Sequence, residues 1–166
     1  IAVYMTAVSK HKPAIKALIL DAPFTSFERI AKERSATTYK TRLMSYLVFF
    51  LDDSYNAIDW IGKVAPVPIL IAHGDKDGAC DWRQSIELYN VARRAGKQAV
   101  LLVYPGENHS LSNKANQLDY HRRIREWFGH YLKGEPAPEW ITRGTSHLEK
   151  QKELKRLKEA KPAPTS

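Results

Sequence analysis

The sequence VPILIAHGDKD, residues 67–77, joins a run of apolar residues directly to a short polar loop. Its first six residues are apolar without interruption, which is typical of a strand buried on both faces of a parallel sheet. The loop then brings a histidine, a glycine and two aspartates to the end of that strand. In open parallel sheets, ligands and catalytic groups collect at the carboxyl ends of the strands. This stretch therefore predicts a central strand and a ligand-binding or catalytic site at its carboxyl end.

Two more apolar runs flank this strand along the chain. They are ALIL at residues 17–20 and AVLLVY at residues 99–104. Longer helical patterns separate the three runs, and strand-helix alternation of this kind is the βαβ pattern. The sequence therefore predicts an α/β fold with a doubly wound, mostly parallel sheet and flanking helices.

The helices have recognisable starts and ends. Thr25 begins a capping box in which Glu28 can reach back to the N-cap. A second helix is predicted from Asp81 to Arg94, with Gly96 ending it. Ser112 is the predicted cap of a last long helix. Its predicted inner stripe consists of apolar, aromatic and histidine side chains: Leu118, His121, Ile124, Trp127, Phe128, Tyr131 and Leu132.

Residues 39–64 interrupt the alternation of predicted strands and helices. Leu43, Leu47 and Phe50 suggest one helix, and residues 56–63 suggest a shorter one. The segment could cover a binding cleft, or its helices could simply pack on the sheet, and both interpretations stay open. The chain itself opens inside the apolar pattern of a helix at residues 1–8, which leads us to expect that it is a fragment of a longer protein.

Composition excludes several classes of protein. The chain has 166 residues, 43% of them hydrophobic and 27% charged, as in globular proteins. Half of its formal net charge of +8 lies in residues 142–166, and no basic patch is interleaved with aromatic residues. The longest apolar run, residues 47–51, is too short to cross a bilayer. We therefore expect neither a nucleic-acid partner nor a membrane partner.

A change of composition marks a domain edge. The sequence EPAP at residues 135–138 cannot continue a helix, and the charged residues after it include few apolar positions. We therefore predict a catalytic domain over residues 1–140 and a basic, flexible tail over residues 141–166.

Two loops carry the candidate chemistry, and each follows a predicted strand. Asp77 lies in the first loop and His109 in the second, 32 positions further on. That interval holds one helix and one strand, so the chain returns to the same edge of the sheet. An aspartate that orients a histidine forms two-thirds of a nucleophilic triad, in which the histidine is the base.

Other polar residues of the first loop have simpler explanations. Asp75 and Asp81 are typical of turns and helix caps, and His73 before a glycine is interpreted as structural. Together with Asp77 these side chains match no ligand spacing of known metal geometry. Cys80 is the single cysteine and is not part of a strand-to-helix elbow. We therefore expect no metal and no cofactor.

At this point the residues resemble a known family. His-Gly-x-x-Asp at residues 73–77 and Tyr-Pro-Gly-Glu-x-His-x-Leu at residues 104–111 resemble the C-terminal part of an α/β-hydrolase. The sequence GHYLKGEPAPEW at residues 129–140 is similar to peptidases of the prolyl oligopeptidase family. The resemblance covers roughly residues 1–140. It implies a serine peptidase that works through an acyl-enzyme, with Asp77 as acid and His109 as base.

The chain departs from this family in one respect. The family nucleophile lies in Gly-x-Ser-x-Gly-Gly directly before the helix that here begins at Ile1, and this sequence contains no Gly-x-Ser-x-Gly. We expect the serine in the missing N-terminal part of the same chain, and we expect this chain to be inactive by itself.

Three alternatives stay open. Residues 17–63 are more similar to small acyl-hydrolases, for which the substrate would be an ester or a thioester rather than a peptide. In some hydrolases the acid follows the strand before the insertion, which would assign that role to Asp21. Finally, a chain without a nucleophile could be an inactive interaction domain.

Overall fold

The structure is a computed structural model and describes residues 2–11, 14–26, 28–29, 54–64, 66–144 and 146–159. Contacts between Cα atoms divide the chain into two compact units, residues 1–110 and residues 111–166. The first unit contains the sheet and both candidate loops. The domain boundary after residue 140 that the composition suggests stays a prediction, as does a flexible tail.

The first unit is built on three parallel strands in the order β1-β2-β3. The strands are β1 (Leu18–Asp21), β2 (Ile69–Gly74) and β3 (Ala99–Tyr104). The sequence prediction is confirmed for all three, and for β3 the bounds agree to the residue. Leu18 pairs with Ile69, and Ile69 pairs in turn with Ala99, so the strands start at the same level.

Strand β2 is the centre of the sheet. All six of its residues are buried, which explains its apolar sequence. Ile69, Ile71 and the side chains packed on them form one core, whose other buried members include Val3, Ala7, Leu20, Ile61, Val64, Leu88 and Ala92. The carboxyl end of β2 is thus a rigid base for the loop that follows it.

Helices α1 (Ala2–Val8) and α2 (Ala57–Trp60) belong to this unit, and a 3₁₀ turn at Ile61–Lys63 follows α2. Helix α3 (Arg83–Arg94) connects β2 to β3. The short helix expected near residues 56–63 is confirmed, whereas the expected helix around residues 43–50 lies outside the described residues. Gly96 adopts a φ of +70°, as predicted for the residue that ends α3.

The N-terminal caps differ from the prediction by one residue in three places. In α3 the N-cap is Trp82 rather than Asp81, and the Asp81 side chain accepts from the Arg83 amide. Ser26 rather than Thr25 caps the turn after β1, because Ser26 Oγ accepts from the Arg29 amide and Thr25 bonds to Gln84 instead. In the second unit Asn113 rather than Ser112 is the N-cap of the long helix, with its side chain accepting from the Ala115 amide.

The second unit contains helices α4 (Lys114–Lys133), α5 (Glu139–Thr142) and α6 (His147–Glu159). The stripe predicted for α4 is wrong in part. Leu118 and Leu132 are more than half exposed, whereas Asp119 and Arg123 are buried beside Trp127. Arg123 Nε donates to both oxygens of Asp119 at 3.0 Å. Because the two charges satisfy each other, this polar face can be buried where hydrophobicity alone predicts exposure.

In the part of the chain that the structure describes, no helix is both long enough and apolar enough to span a bilayer.

Candidate active site

The site lies at the carboxyl ends of β2 and β3, which are neighbours in the sheet. The loop after β2 and the loop after β3 touch along their backbones. The Asp75 amide donates to the Tyr104 carbonyl at 3.2 Å, and the Lys76 amide donates to the Glu107 carbonyl at 2.9 Å. Gly74 makes this approach possible, because a Cβ there would collide with the backbone carbonyl oxygens of Glu107 and Asn108.

Asp77 and His109 meet between these loops. His109 Nδ1 and Asp77 Oδ2 are 2.9 Å apart, so the hydrogen bond predicted from the sequence is confirmed. The Asp77 side chain has no exposed surface, whereas the His109 side chain is 53% exposed. Among the residues that the structure describes, none makes a hydrogen bond to Nε2 of His109. The imidazole is therefore held at one nitrogen and open at the other.

Asp77 is held by four hydrogen-bond donors. Its Oδ1 accepts from the amides of Ala79 at 2.7 Å and Cys80 at 2.9 Å. Its Oδ2 accepts from His109 and lies 3.0 Å from Nε2 of His73. Burial alone would raise the pKa of this carboxyl, but the bonds from the Cys80 amide, His109 and the Ala79 amide outweigh it and lower the pKa. The side chain is thus an anion of fixed orientation.

Asn108 joins the two loops through one side-chain oxygen. Asn108 Oδ1 accepts from the Gly78 amide at 2.9 Å and from the His109 amide at 2.7 Å. Asp75 makes a second cross-link, since its Oδ1 accepts from the Gly106 amide at 2.6 Å. Asp75 lies in a turn, as the sequence suggested, but its side chain bonds across to the loop that carries His109 rather than to its own turn.

His73 has more contacts than the structural role predicted from its sequence position requires. It is buried, with Nδ1 at 2.6 Å from Ser85 Oγ and Nε2 near both Asp77 and the Cys80 carbonyl. The only sequence feature that could have indicated the contact with Asp77 is the His-x-x-x-Asp spacing, which spans the end of β2. Strand periodicity cannot predict whether these two side chains meet, because β2 ends at Gly74, between His73 and Asp77.

The remaining candidates lie apart from the dyad. Asp81 Oδ1 accepts from the Arg83 amide, which is a capping contact at the start of α3. Asp21 ends β1, two strands from β3, and His109 bonds to Asp77 rather than to it. Over the described ranges no three side chains of the metal-ligating types gather into a cation site.

A cavity of about 280 Å³ opens at the carboxyl end of β1. Its lining is mostly apolar, with two polar side chains: Ala2, Val3, Ile19, Leu20, Asp21, Ala22, Pro23, Phe24, Tyr55, Asn56 and Ala57. Ala22 adopts a φ of +43°, a conformation that side chains rarely take, at the point where the chain turns from β1 into this lining. The size and lining suit an apolar side chain or acyl group.

An imidazole oriented by a buried carboxylate is the acid-base unit of nucleophilic hydrolysis. Together with the parallel sheet and the two loops after adjacent strands, it defines the class of protein as an α/β-hydrolase. A family model described as the prolyl oligopeptidase family matches residues 2–135. The chain belongs to the prolyl oligopeptidase family.

Known proteins similar to this chain include peptidases. Uncharacterized protein YfhR of Escherichia coli K12 is 30% identical over 97 residues, which is 58% of this chain and 30% of YfhR. Dipeptidyl-peptidase 5 of Aspergillus oryzae is 33% identical over 64 residues, 39% of this chain and 9% of that protein. The acylaminoacyl peptidase of Pyrococcus horikoshii is similar in fold, with a TM-score of 0.63 at 18% identity. That match covers 85% of this chain and 24% of the peptidase.

Proposed function

We propose that this chain supplies the acid and the base of a serine peptidase, with Asp77 orienting His109 and His109 moving the protons. The observation that carries the proposal is the 2.9 Å hydrogen bond from His109 Nδ1 to a buried carboxylate, with Nε2 left open. Membership of the prolyl oligopeptidase family supports the serine-peptidase class.

In this proposal His109 acts twice. Its Nε2 takes the proton of the serine hydroxyl as that oxygen attacks the peptide carbonyl, and it then gives the proton to the departing amine. The resulting acyl-enzyme is hydrolysed in the same way, with water in place of serine. Asp77 stays ionised throughout and stabilises the imidazolium, in keeping with its lowered pKa.

The nucleophile is expected upstream of Ile1. The family order is serine, then aspartate, then histidine, and no Gly-x-Ser-x-Gly occurs in the 166 residues. The chain covers about 30% of YfhR, so the activity of the whole protein is part of this proposal. The mostly apolar cavity at the end of β1 is suited to an apolar group of the substrate.

The test is kinetic and uses a longer protein that contains this chain and a Gly-x-Ser-x-Gly segment before it. His109→Ala should lower kcat most, because His109 transfers protons in both half-reactions. Asp77→Asn should lower kcat by roughly 10⁴, the loss known for that change in one serine-protease triad, with little effect on KM. Asp81→Asn, which removes an exposed capping carboxylate, is the control and should keep kcat within about threefold.

Two outcomes would redirect the proposal. If Asp77→Asn keeps its turnover while Asp21→Asn loses it, the acid belongs to β1. A protein that hydrolyses p-nitrophenyl esters but not the p-nitroanilides of short peptides is an esterase rather than a peptidase. Absence of turnover on both substrate types, with the serine present, would favour the inactive interaction domain.

A further inference from the structure

His73 makes contacts that packing alone does not require. Its side chain has no exposed surface, and each ring nitrogen lies within hydrogen-bond distance of a partner. Nε2 lies 3.0 Å from Asp77 Oδ2 and 3.1 Å from the Cys80 carbonyl oxygen. Both of these atoms can only accept, so Nε2 must carry a proton. His73 therefore donates to the same carboxylate oxygen that receives the bond from His109.

The other nitrogen of His73 continues the network. Nδ1 lies 2.6 Å from Ser85 Oγ, and that hydroxyl is 3.5 Å from the Pro23 carbonyl oxygen. With the proton on Nε2, Nδ1 accepts the single hydroxyl hydrogen of Ser85 at 2.6 Å, and this hydrogen is then not available for the more distant Pro23 carbonyl oxygen. Ser85 is buried in the first turn of α3.

The same turn of α3 holds the loop after β1 at a second point. Gln84 Oε1 accepts from the Thr25 amide at 2.8 Å and from the Thr25 hydroxyl at 3.1 Å. Gln84 has no exposed surface. Pro23, two residues earlier, lines the cavity at the end of β1. A continuous set of buried polar contacts therefore runs from Asp77 through His73 to the start of α3, next to the cavity lining.

We propose that His73 is a positioning residue, which holds Asp77 Oδ2 in the orientation that meets His109 and ties this carboxylate, through Ser85, to α3. The inference rests on the proposed function of the Asp77–His109 dyad. A carboxylate bonded on one oxygen by two amides can still tilt about those bonds. A second donor at Oδ2 opposes that tilt, because His73 is itself fixed at Nδ1 and at the Cys80 carbonyl.

The tautomers of the two histidines test the proposal, and they can be measured in the 166-residue chain without any turnover. Long-range ¹H–¹⁵N correlation spectra at pH 8 identify which ring nitrogen carries the proton. We expect His73 protonated at Nε2 and His109 protonated at Nδ1. His109→Gln assigns the His109 signals.

Three variants separate positioning from packing. His73→Leu fills the space but cannot donate, so His109 should lose its uniform Nδ1–H tautomer and show a mixture. His73→Gln retains an N–H donor near the position of Nε2, so it should restore the wild-type tautomer at His109. His130→Leu removes an imidazole whose Nδ1 contacts the Glu135 carbonyl, and as the control it should change neither signal.

Ser85→Ala covers the case in which His73→Leu does not fold. Loss of the hydroxyl releases Nδ1 of His73, so His109 should show a smaller admixture of the other tautomer. Ser9→Ala, which removes an exposed hydroxyl bonded to the His11 amide, is the matched control.

These measurements separate the positioning role of His73 from the proposed role of the Asp77–His109 dyad. If Asp77→Asn leaves the His109 tautomer unchanged, the dyad itself is wrong. If Asp77→Asn disturbs that tautomer while His73→Leu and Ser85→Ala both leave it uniform, the dyad stands and the positioning role of His73 is overturned. If His73→Gln fails to restore what His73→Leu disturbs, the role of His73 is packing rather than donation.

Discussion

Gly74 is the residue on which the distance between the two loops depends. No positive φ is required of it, and its importance comes from the space around it. The backbone carbonyls of Glu107 and Asn108 occupy the place where a side chain would begin. Any other residue would have to push the His109 loop away from β2, because backbone atoms cannot swing aside as a side chain can.

Gly74→Ala should therefore destabilise the fold and separate Asp77 from His109. We expect a loss of about 1–3 kcal/mol in the free energy of unfolding, the usual range for overpacking. Urea denaturation measures it. Gly78→Ala is the matched control, since its nearest neighbouring atom would be Asn108 Oδ1 at 3.9 Å. Equal stability of the two variants would show that the loops can move apart freely.

The charge on Asp77 also links stability to pH. Burial raises the pKa of this carboxyl, but the bonds from the Cys80 amide, His109 and the Ala79 amide outweigh it, so the pKa in the folded chain lies below the ordinary value of 3.8. A lowered folded-state pKa means that the carboxylate stabilises the fold above the unfolded pKa. That stabilisation is lost as the pH falls through the folded pKa.

Asp77→Asn should accordingly cost the most stability at pH 7, and the difference from wild type should shrink below about pH 4. Urea midpoints across a pH series give this difference directly. Glu149→Gln is the comparison, because the pKa of Glu149 is also lowered but at a fully exposed position. Its effect should be smaller at every pH. A pH-independent cost for Asp77→Asn would mean that the charge contributes nothing.

At the scale of the elements, helix α6 shows how a charged segment with few apolar positions is held. Glu153 bonds to Arg122 and Arg123 of α4, and both arginines also bond to Asp119. The Arg123 side chain is 1% exposed. The contact between these helices is therefore a network of ion pairs around a buried guanidinium. A search for apolar residues at helical spacing does not predict such a contact.

Glu153→Ala should loosen α6, because it removes a carboxylate that accepts hydrogen bonds from both arginines. We expect a loss of about 1 kcal/mol, between the values for exposed and for buried pairs. Amide hydrogen exchange along α6 is the measurement. Glu159→Ala breaks only an exposed pair with Lys155 at 3.8 Å and should leave exchange unchanged. Equal protection in both variants would assign the docking of α6 to other contacts.

These two regions also explain what the sequence could and could not predict. The central strand was predictable because burial on both faces leaves an almost uninterrupted apolar run, as in β2. The dyad was predictable because adjacent parallel strands bring their loops to one edge. The buried face of α4 was not predictable, because charged residues such as Asp119 and Arg123 are expected at the surface unless their ion-pair partners are known. The contact of His73 with Asp77 was missed because it depends on loop geometry.

At the scale of the whole molecule, Asp77 and His109 lie in the unit formed by residues 1–110. The two side chains are joined by a hydrogen bond, and the 166 residues contain no Gly-x-Ser-x-Gly sequence. Without a nucleophile no acyl-enzyme can form, whatever the quality of the dyad. The family defines the class of reaction, and the 97 residues that match YfhR cover 30% of that protein.

We therefore expect the 166-residue chain to be inert towards p-nitrophenyl acetate, with neither a burst of nitrophenol nor turnover that depends on His109. Stopped-flow absorbance of the purified chain and of His109→Ala provides the comparison, and the two traces should coincide. A burst equal to the enzyme concentration would reveal a nucleophile that the sequence motif does not identify.

The four donors around Asp77 have a consequence for where a proton can travel. Two amides and two imidazoles occupy the four lone-pair directions of the carboxylate, so none is left to receive a hydrogen. No further group, such as a water molecule, can therefore donate to this carboxylate, and the hydrogen bonds that it accepts favour its ionised form. In the proposed mechanism a proton that His109 gains at Nε2 would therefore leave again from Nε2, while Asp77 stays ionised.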